Sequence, residues 1–530
     1  MKKIVVVVFV LVVLLLGVAP WGIGKVAEQR VNAGLDQFLQ EAPYLSIVER
    51  KWTPGWFRSE QVVTFEVLGP WMRAMNPATV LADIEKAEKA AAARDGQGGK
   101  SDESTPQLEA APPVASAEAA AAHEAGLPDW AEAPAGETPA DAPAAESLPI
   151  RFTVRNEILH GPVLWPASFG FARVNTRLVM SDEIRQALIE IFGTDEPVKL
   201  SSRVGFLGGG STRLYGDGRT VKMKDEPGEL KYDAFELEVG FSKNFDDIDV
   251  DGSWPKLEAS NDKSRESFVI NGMSFVGESE RVLGDLYETD FKFAIDGMQF
   301  IDSSRQETTV ENIHYAVVSN IDKGYMDAAA KLGSGKIKSP ALAQLDFELN
   351  ETHYDFSLRR LHAETLQKLV TSIKQAYTKP VSTIADVQTA MMVPFKEHGI
   401  ALLKHEPEFV IDRLGIVTPE GEGNIKGVIR LKGVTDADFA AGGFGWVSKL
   451  DADITVEVAQ KLVEKFPNGA TGAGLAVDQG FARRDGQKLV SHIEFRNQEL
   501  KINGKSQPIP GFGQGPPPDR MGSEPTPGEE

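Results

Sequence analysis

From the residue after Phe192 to about Asn320 the sequence alternates, and a period of two admits few folds. Phe235, Leu237, Val239 and Phe241 fall on one side of an extended chain, with Glu236 and Glu238 on the other. Phe291, Phe293 and Ile295 repeat the pattern against Asp290, Lys292 and Asp296. Successive side chains of a strand point to opposite faces. A run with one charged face can be covered only on the other, as in antiparallel sheets. Asn271-Gly272, Asp217-Gly218, Asp251-Gly252 and Asp296-Gly297 are dipeptides of hairpin turns. Leu345, Phe347 and Leu349 read as one more strand. The expectation is a meander.

The flanks extend it. Residues 45–52 and 61–68 read as a hairpin around Pro54-Gly55, and residues 150–156 and 172–180 as two further strands. Between the latter lies 157–162, whose Gly161-Pro162 predicts a turn. Residues 409–413, the Ile425, Ile429 and Leu431 run, the Leu450 to Val458 alternation and a closing hairpin over 489–502 carry the β pattern onward. Helical spacing marks 26–38, 182–192 behind the N-cap Ser181, the Leu358, Leu361, Leu366, Leu369 and Ile373 series, 384–404 crossed by Pro394, and a short piece at Leu462 and Phe466. The fold class expected is α+β and β-dominated: an N-terminal transmembrane helix, then an elongated antiparallel meander sheet partly covered by helices.

Residues 4–24 form an uninterrupted apolar run, with Lys2 and Lys3 before it and Lys25 and Arg30 after it. A helix of roughly 20 residues spans the hydrocarbon core of a bilayer. A cleaved signal peptide would place Pro20 just after a Gly17-Val18-Ala19 cleavage site, a poor fit to a peptidase, so an uncleaved signal anchor is favoured. The paired lysines set an inside N-terminus. The segments expected are the anchor at 1–25, a membrane-proximal helix and hairpin at 26–76, a disordered Ala/Pro/Glu-rich insertion at 77–148, a β-rich body at 149–505 with a helical interlude at 355–404, and a disordered tail at 506–530. The insertion has too few large apolar residues to offset its ordering entropy, although 81–93 has the composition of a solvated helix.

The net charge of −21 argues against a nucleic-acid partner, whose phosphates need a basic face. With no cysteine, thiolate catalysis and cysteine-ligated metal sites are excluded. His160 is the first residue to weigh, as ligand, as general base, or as a turn histidine that orients its loop. No second histidine or paired carboxylate accompanies it in sequence, which favours the turn. His398 and His405, seven apart on a helical stretch, are spaced too widely for a helical metal pair. Ser260-Asn261-Asp262-Lys263 matches Ser-x-x-Lys without its companion motifs. The glycines at 208–210, 421–423 and 468–474 read as loops and lack a phosphate-binding context. No cofactor is expected.

Several stretches resemble the YdgA-like family of bacterial envelope proteins. They are Trp21-Gly22-Ile23-Gly24-Lys25, Gly55-Trp56-Phe57-Arg58-Ser59, residues 156–162 centred on His160-Gly161-Pro162, the helical pair at 355–404, Lys449-Leu450-Asp451-Ala452-Asp453-Ile454, and Leu500-Lys501-Ile502-Asn503-Gly504-Lys505. They follow the family's order, with 77–148 as an insertion. The resemblance implies an inner-membrane anchor and a β-rich periplasmic body, and no catalytic residue. One-sided strands leave an apolar face that helices cover in part, so the expected function is non-enzymatic: binding or guiding a lipid or other hydrophobic ligand along that face. The alternative is a scaffold acting through homo-oligomerisation or sheet-edge pairing.

Overall fold

The computed structural model describes residues 19–74, 150–164, 168–222, 227–440 and 445–508. Residues 1–18 of the anchor, the helix expected at 81–93 with all of the insertion, and the tail beyond 508 lie outside them. Among the described residues no helix is long and apolar enough to cross a membrane. The chain divides into two compact units. The smaller comprises 68–150 and 380–389. It holds a short helix, Gly69–Ala74, that buries Trp71, and a capped turn in which the Asp386 carboxylate accepts the N–H groups of Ser382 and Thr383, each at 3.0 Å.

The larger unit is organised on one antiparallel sheet. β1 (Leu45–Thr53) and β2 (Arg58–Val67) form the expected hairpin. β2 pairs with β3 (Ile150–His160), and the ladder runs on through β4 (Ala172–Val179), β5 (Lys199–Val204) and β6 (Gly210–Gly216). β7 (Arg219–Lys222) pairs with β8 (Gly228–Tyr232), and β8 pairs with the last third of β10 (Asp247–Asn261). β9 (Phe235–Phe241) joins β6 to β10. From there the meander is continuous: β11 (Glu266–Leu283), β12 (Leu286–Ile301), β13 (Glu307–Asp322), β14 (Tyr325–Ser334), β15 (Glu351–His362), β16 (Glu408–Thr418), β17 (Gly421–Leu431), β18 (Leu450–Ala459), β19 (Lys488–Arg496) and β20 (Glu499–Ile502).

Helices interrupt the order of strands. α1 (Ala19–Glu41) precedes β1, and α2 (Asp182–Phe192) follows β4, its Ser181 cap accepting Ile184 N–H at 3.3 Å as the sequence predicts. α3 (Ala363–Thr378) and α4 (Ile384–Pro394) separate β15 from β16, and α5 (Gln460–Glu464) and α6 (Gly469–Asp478) separate β18 from β19. Pro394, which can donate no N–H, does not end its helix. A π turn at Phe395–Gly399 carries the chain into Ile400–Leu403.

Five local expectations are corrected. Asn271-Gly272, Asp251-Gly252 and Asp296-Gly297 lie inside β11, β10 and β12 rather than at turns, and Asp217-Gly218 joins β6 to β7, which do not pair with each other. At Gly272 the need for glycine is close approach. Its φ is +63°, and a Cβ there would meet the Asp296 carboxylate at 1.9 Å. Leu345 and Phe347 are not in a strand. Ser339 caps a short helix, Pro340–Gln344, and only Leu349 bridges to Ile337. Residues 355–362 belong to β15, because Tyr354, Phe356 and Leu358 alternate with Asp355, Ser357 and Arg359 before the helical leucines begin. Gly421 to Gly423 open β17, and residues 469–474 are helical. The expected tail begins two residues early, since Lys505–Gln507 pairs with β20.

Candidate functional site

His160 stands at the end of β3 and is 5% exposed. Its Nδ1 lies 3.1 Å from the Trp56 carbonyl, so that nitrogen carries the proton and donates. Nε2 is left to accept the Ser59 hydroxyl at 3.0 Å. Ser59, 3% exposed, also accepts Gly55 N–H at 3.3 Å, and His160 N–H reaches the Phe57 carbonyl at 2.9 Å. Gly161 follows under a close approach, since a Cβ there would meet the Gly170 carbonyl at 1.9 Å. His160-Gly161-Pro162 and Gly55-Trp56-Phe57-Arg58-Ser59, separated by about a hundred residues, thus close on one another. Among the described residues no carboxylate orients the imidazole, and neither side chain is open to solvent. The contacts are those of a clasp between two loops rather than of a nucleophile and its base.

A second constellation comes from strand register. Leu200, Leu214, Leu237, Gly252, Phe275, Phe293, Tyr315, Leu332, Tyr354, Leu414, Ile425 and Val456 are each directly paired with the next, one each from β5, β6 and β9 to β18. Directly paired residues share a face. At about 4.8 Å per strand this row runs on the order of 50 Å. One position along, the opposite face carries Arg213, Glu238, Asp251, Val276, Lys292, Ala316, Lys331, Asp355 and Arg413, again paired in sequence. One face is apolar and the other charged. The apolar one is incompletely covered: Tyr315, Leu332, Tyr354, Leu358 and Phe409 keep between 36% and 46% of their surface in solvent.

Helices cover its two ends. At one end Leu462 of α5 packs near Gly423, Ile416 and Val458. At the other, Ala27 of α1 is buried with Ile158, Phe171, Ala172 and Val174. A relay of side chains seats α1 there: Thr176 donates to Asn156 at 2.8 Å, Asn156 to Gln61 at 2.9 Å, and Gln61 to Asn32 of α1 at 2.8 Å. The C-terminal end of α1 is tied by charge. Glu41 bonds Arg281 and Lys374, each at 2.7 Å, and Lys374 reaches Asp285 at 2.8 Å. Burial alone would raise the pKa values of Glu41 and Asp285. Hydrogen bonds from Lys374, joined by Arg281 at Glu41 and by Gln367 and Thr371 at Asp285, overcome it and hold both below the usual carboxylate range.

Between α1 and β4, β5, β6 and β9 lies a pocket of about 660 Å³. Its floor includes Val174, Val204, Val239 and Phe241, on the same face as Leu237 and therefore as the long row. Among the described residues, Arg30 and Lys243 are its charged lining residues and no carboxylate lines it.

The remaining candidates separate. His405 stacks on His362, ring centroids 3.9 Å apart and planes within 5°, while His398 lies 3.9 Å from Glu397. Burial, then the neighbouring His362, pushes the His405 pKa down. Ser260 is paired in β10 and Lys263 sits in the following turn. Gly208 and Gly209 lead from β5 into β6, which Gly210 opens, and Gly208 lines the pocket. Asp453, His492 and Glu494 could hold a cation by geometry. Arg496, however, already reaches Asp453 at 3.1 Å and Glu494 at 3.6 Å, and His492 bonds Asp453 at 2.8 Å. That is an ion-pair ladder on the charged face. Sequence reasoning missed the pocket, the Glu41 network and the role of Ser59. Each joins segments that no local pattern links.

The profile of the family described as "Bacterial protein of unknown function (DUF945)" matches residues 1–98 and 137–510. The chain belongs to this family. No curated protein and no solved structure matches the chain. Membership in DUF945 extends over the apolar run, the clasp and every strand of the long row, and the match breaks only within the Ala/Pro/Glu-rich stretch.

Proposed function

We propose that this chain is a membrane-anchored, non-enzymatic envelope protein of the YdgA-like kind, in which the apolar face of the sheet binds or guides lipid chains. In this reading residues 4–24 span the inner membrane, Lys2 and Lys3 stay inside, and the body stands in the periplasm. The observation that carries it is the paired row from Leu200 to Val456, apolar across twelve strands and partly exposed. A contiguous exposed apolar surface marks an interaction site. The charged reverse face and the net charge of −21 give the same sheet a surface suited to water.

The absence of cysteine makes a direct test simple. Tyr354→Cys on the apolar face and Lys331→Cys on the charged face each give one labelling position for an environment-sensitive fluorophore. With the full chain in phosphatidylcholine nanodiscs, brominated acyl chains should quench the label at 354 and leave that at 331 bright. Equal quenching at both, or none at either, contradicts the reading. A label at 354 that stays bright while the protein sediments as a dimer means that a second copy covers the face.

A further inference from the structure

The pocket beneath α1 contains an oddity on each wall. In the helix wall, Gly34 sits mid-helix, where glycine is less favourable than alanine, and a Cβ built on it meets nothing within 4 Å. Neither backbone conformation nor close packing calls for glycine there. What it leaves is room. In the strand wall, the stem of Lys243 lies across Gly208, with Cγ at 3.2 Å from a Cβ built there, so the lysine is laid along the pocket's edge. Arg30 is oriented at the same pocket, its Nη1 donating to the Phe206 carbonyl at 3.0 Å and its guanidinium 4.5 Å over the Phe171 ring. Two cations at an apolar pocket without a lining carboxylate, in a chain of net charge −21, make a local exception to the molecule's charge.

The geometry points to this pocket as the seat of an anionic phospholipid, with an acyl chain on Val239 and Phe241 and the phosphate held by Arg30 and Lys243. The inference rests on the lipid-binding reading and adds to it a headgroup and a point of entry. A volume of about 660 Å³ lies within the roughly 300–1,000 Å³ usual for ligand pockets. An apolar floor with few charged groups at its edge suits an amphiphile rather than a peptide or a sugar. The source follows from the chain. Arg30 lies six residues beyond the apolar run, about 9 Å along a helix. In the lipid-binding reading, the pocket therefore stands close to where the apolar run leaves the bilayer. Since the pocket floor shares a face with the long row, an acyl chain held here is already on the apolar surface.

The test uses the full chain in phosphatidylcholine nanodiscs, with Leu207→Cys at the pocket labelled by the same fluorophore. Brominated phosphatidylglycerol should quench it at about a five-fold lower mole fraction than brominated phosphatidylcholine, the effect of an exposed charge pair. Lys243→Glu should abolish that preference, weakening quenching by phosphatidylglycerol at least five-fold more than quenching by phosphatidylcholine. Gly34→Phe, which fills the room, should protect the label from both lipids. The exposed Lys243→Glu variant keeps the test decisive if Gly34→Phe fails to fold. Equal quenching by both lipids, unchanged in Lys243→Glu, overturns the inference. A bright label at 207 beside a quenched one at 354 overturns the pocket and spares the lipid-binding reading, and two bright labels remove both.

Discussion

His160 commits both ring nitrogens to the β1–β2 hairpin, one to its loop and one to Ser59 of β2, and its neighbour Gly161 fits only because it lacks a Cβ. A buried donor or acceptor stripped of its partner carries a desolvation penalty of about 1–3 kcal/mol. His160→Phe keeps the volume roughly in place and removes one hydrogen-bond partner each from the buried Ser59 hydroxyl and the Trp56 carbonyl. It should destabilise the larger unit by about 2–3 kcal/mol, measured by urea unfolding, without altering lipid quenching at position 354. A loss of quenching with stability intact would make His160 part of a binding site. The motif itself was legible, because His-Gly-Pro interrupts a β pattern. Its partner was not, because a hydrogen bond across a hundred residues leaves no periodic trace. The same dipeptide also misled and informed by turns. Asn503-Gly504, with φ of +50° and +78°, does turn the chain between short strands, whereas Asn271-Gly272 lies inside the eighteen-residue β11 with the Asp296 carboxylate of β12 across it.

At the level of elements, the C-terminus of α1 is held to the β11–β12 turn and to α3 by Glu41, Arg281, Asp285 and Lys374. Lys374 bonds both acids. Lys374→Met leaves Glu41 to Arg281 alone and removes the lysine from Asp285, and should lower stability near neutral pH by about 2 kcal/mol. The pH dependence has a definite sign. Both acids have native pKa values below their unfolded ones, so their contribution is complete above about pH 4.3 for Glu and 3.9 for Asp. It is lost as pH falls through the lowered native values. Urea midpoints taken down that range should fall less steeply in Lys374→Met than in the parent chain; parallel curves would show that Lys374 does not set those affinities. The helices themselves were readable from spacing. The strand that ends where α3 begins was not, since Leu358 and Leu361 fit both a helical face and the end of β15.

For the molecule as a whole, alternation announced that each strand has one apolar side. It could not say which residues stand abreast. That depends on turns such as Lys323-Gly324 and Asn497-Gln498, whose positive φ values fix the pairing on either side. Only register turns separate strands into a row from Leu200 to Val456. The row is also where the functional account stands or falls. The decisive measurement is photo-crosslinking in living cells. The full chain carries p-benzoylphenylalanine in place of Leu332 on the apolar face or of Lys331 on the charged one, and the adducts are identified by mass spectrometry. The account predicts phospholipid adducts at 332 and none at 331. Adducts at both positions alike, or at 332 only to a second copy of the chain, would contradict it.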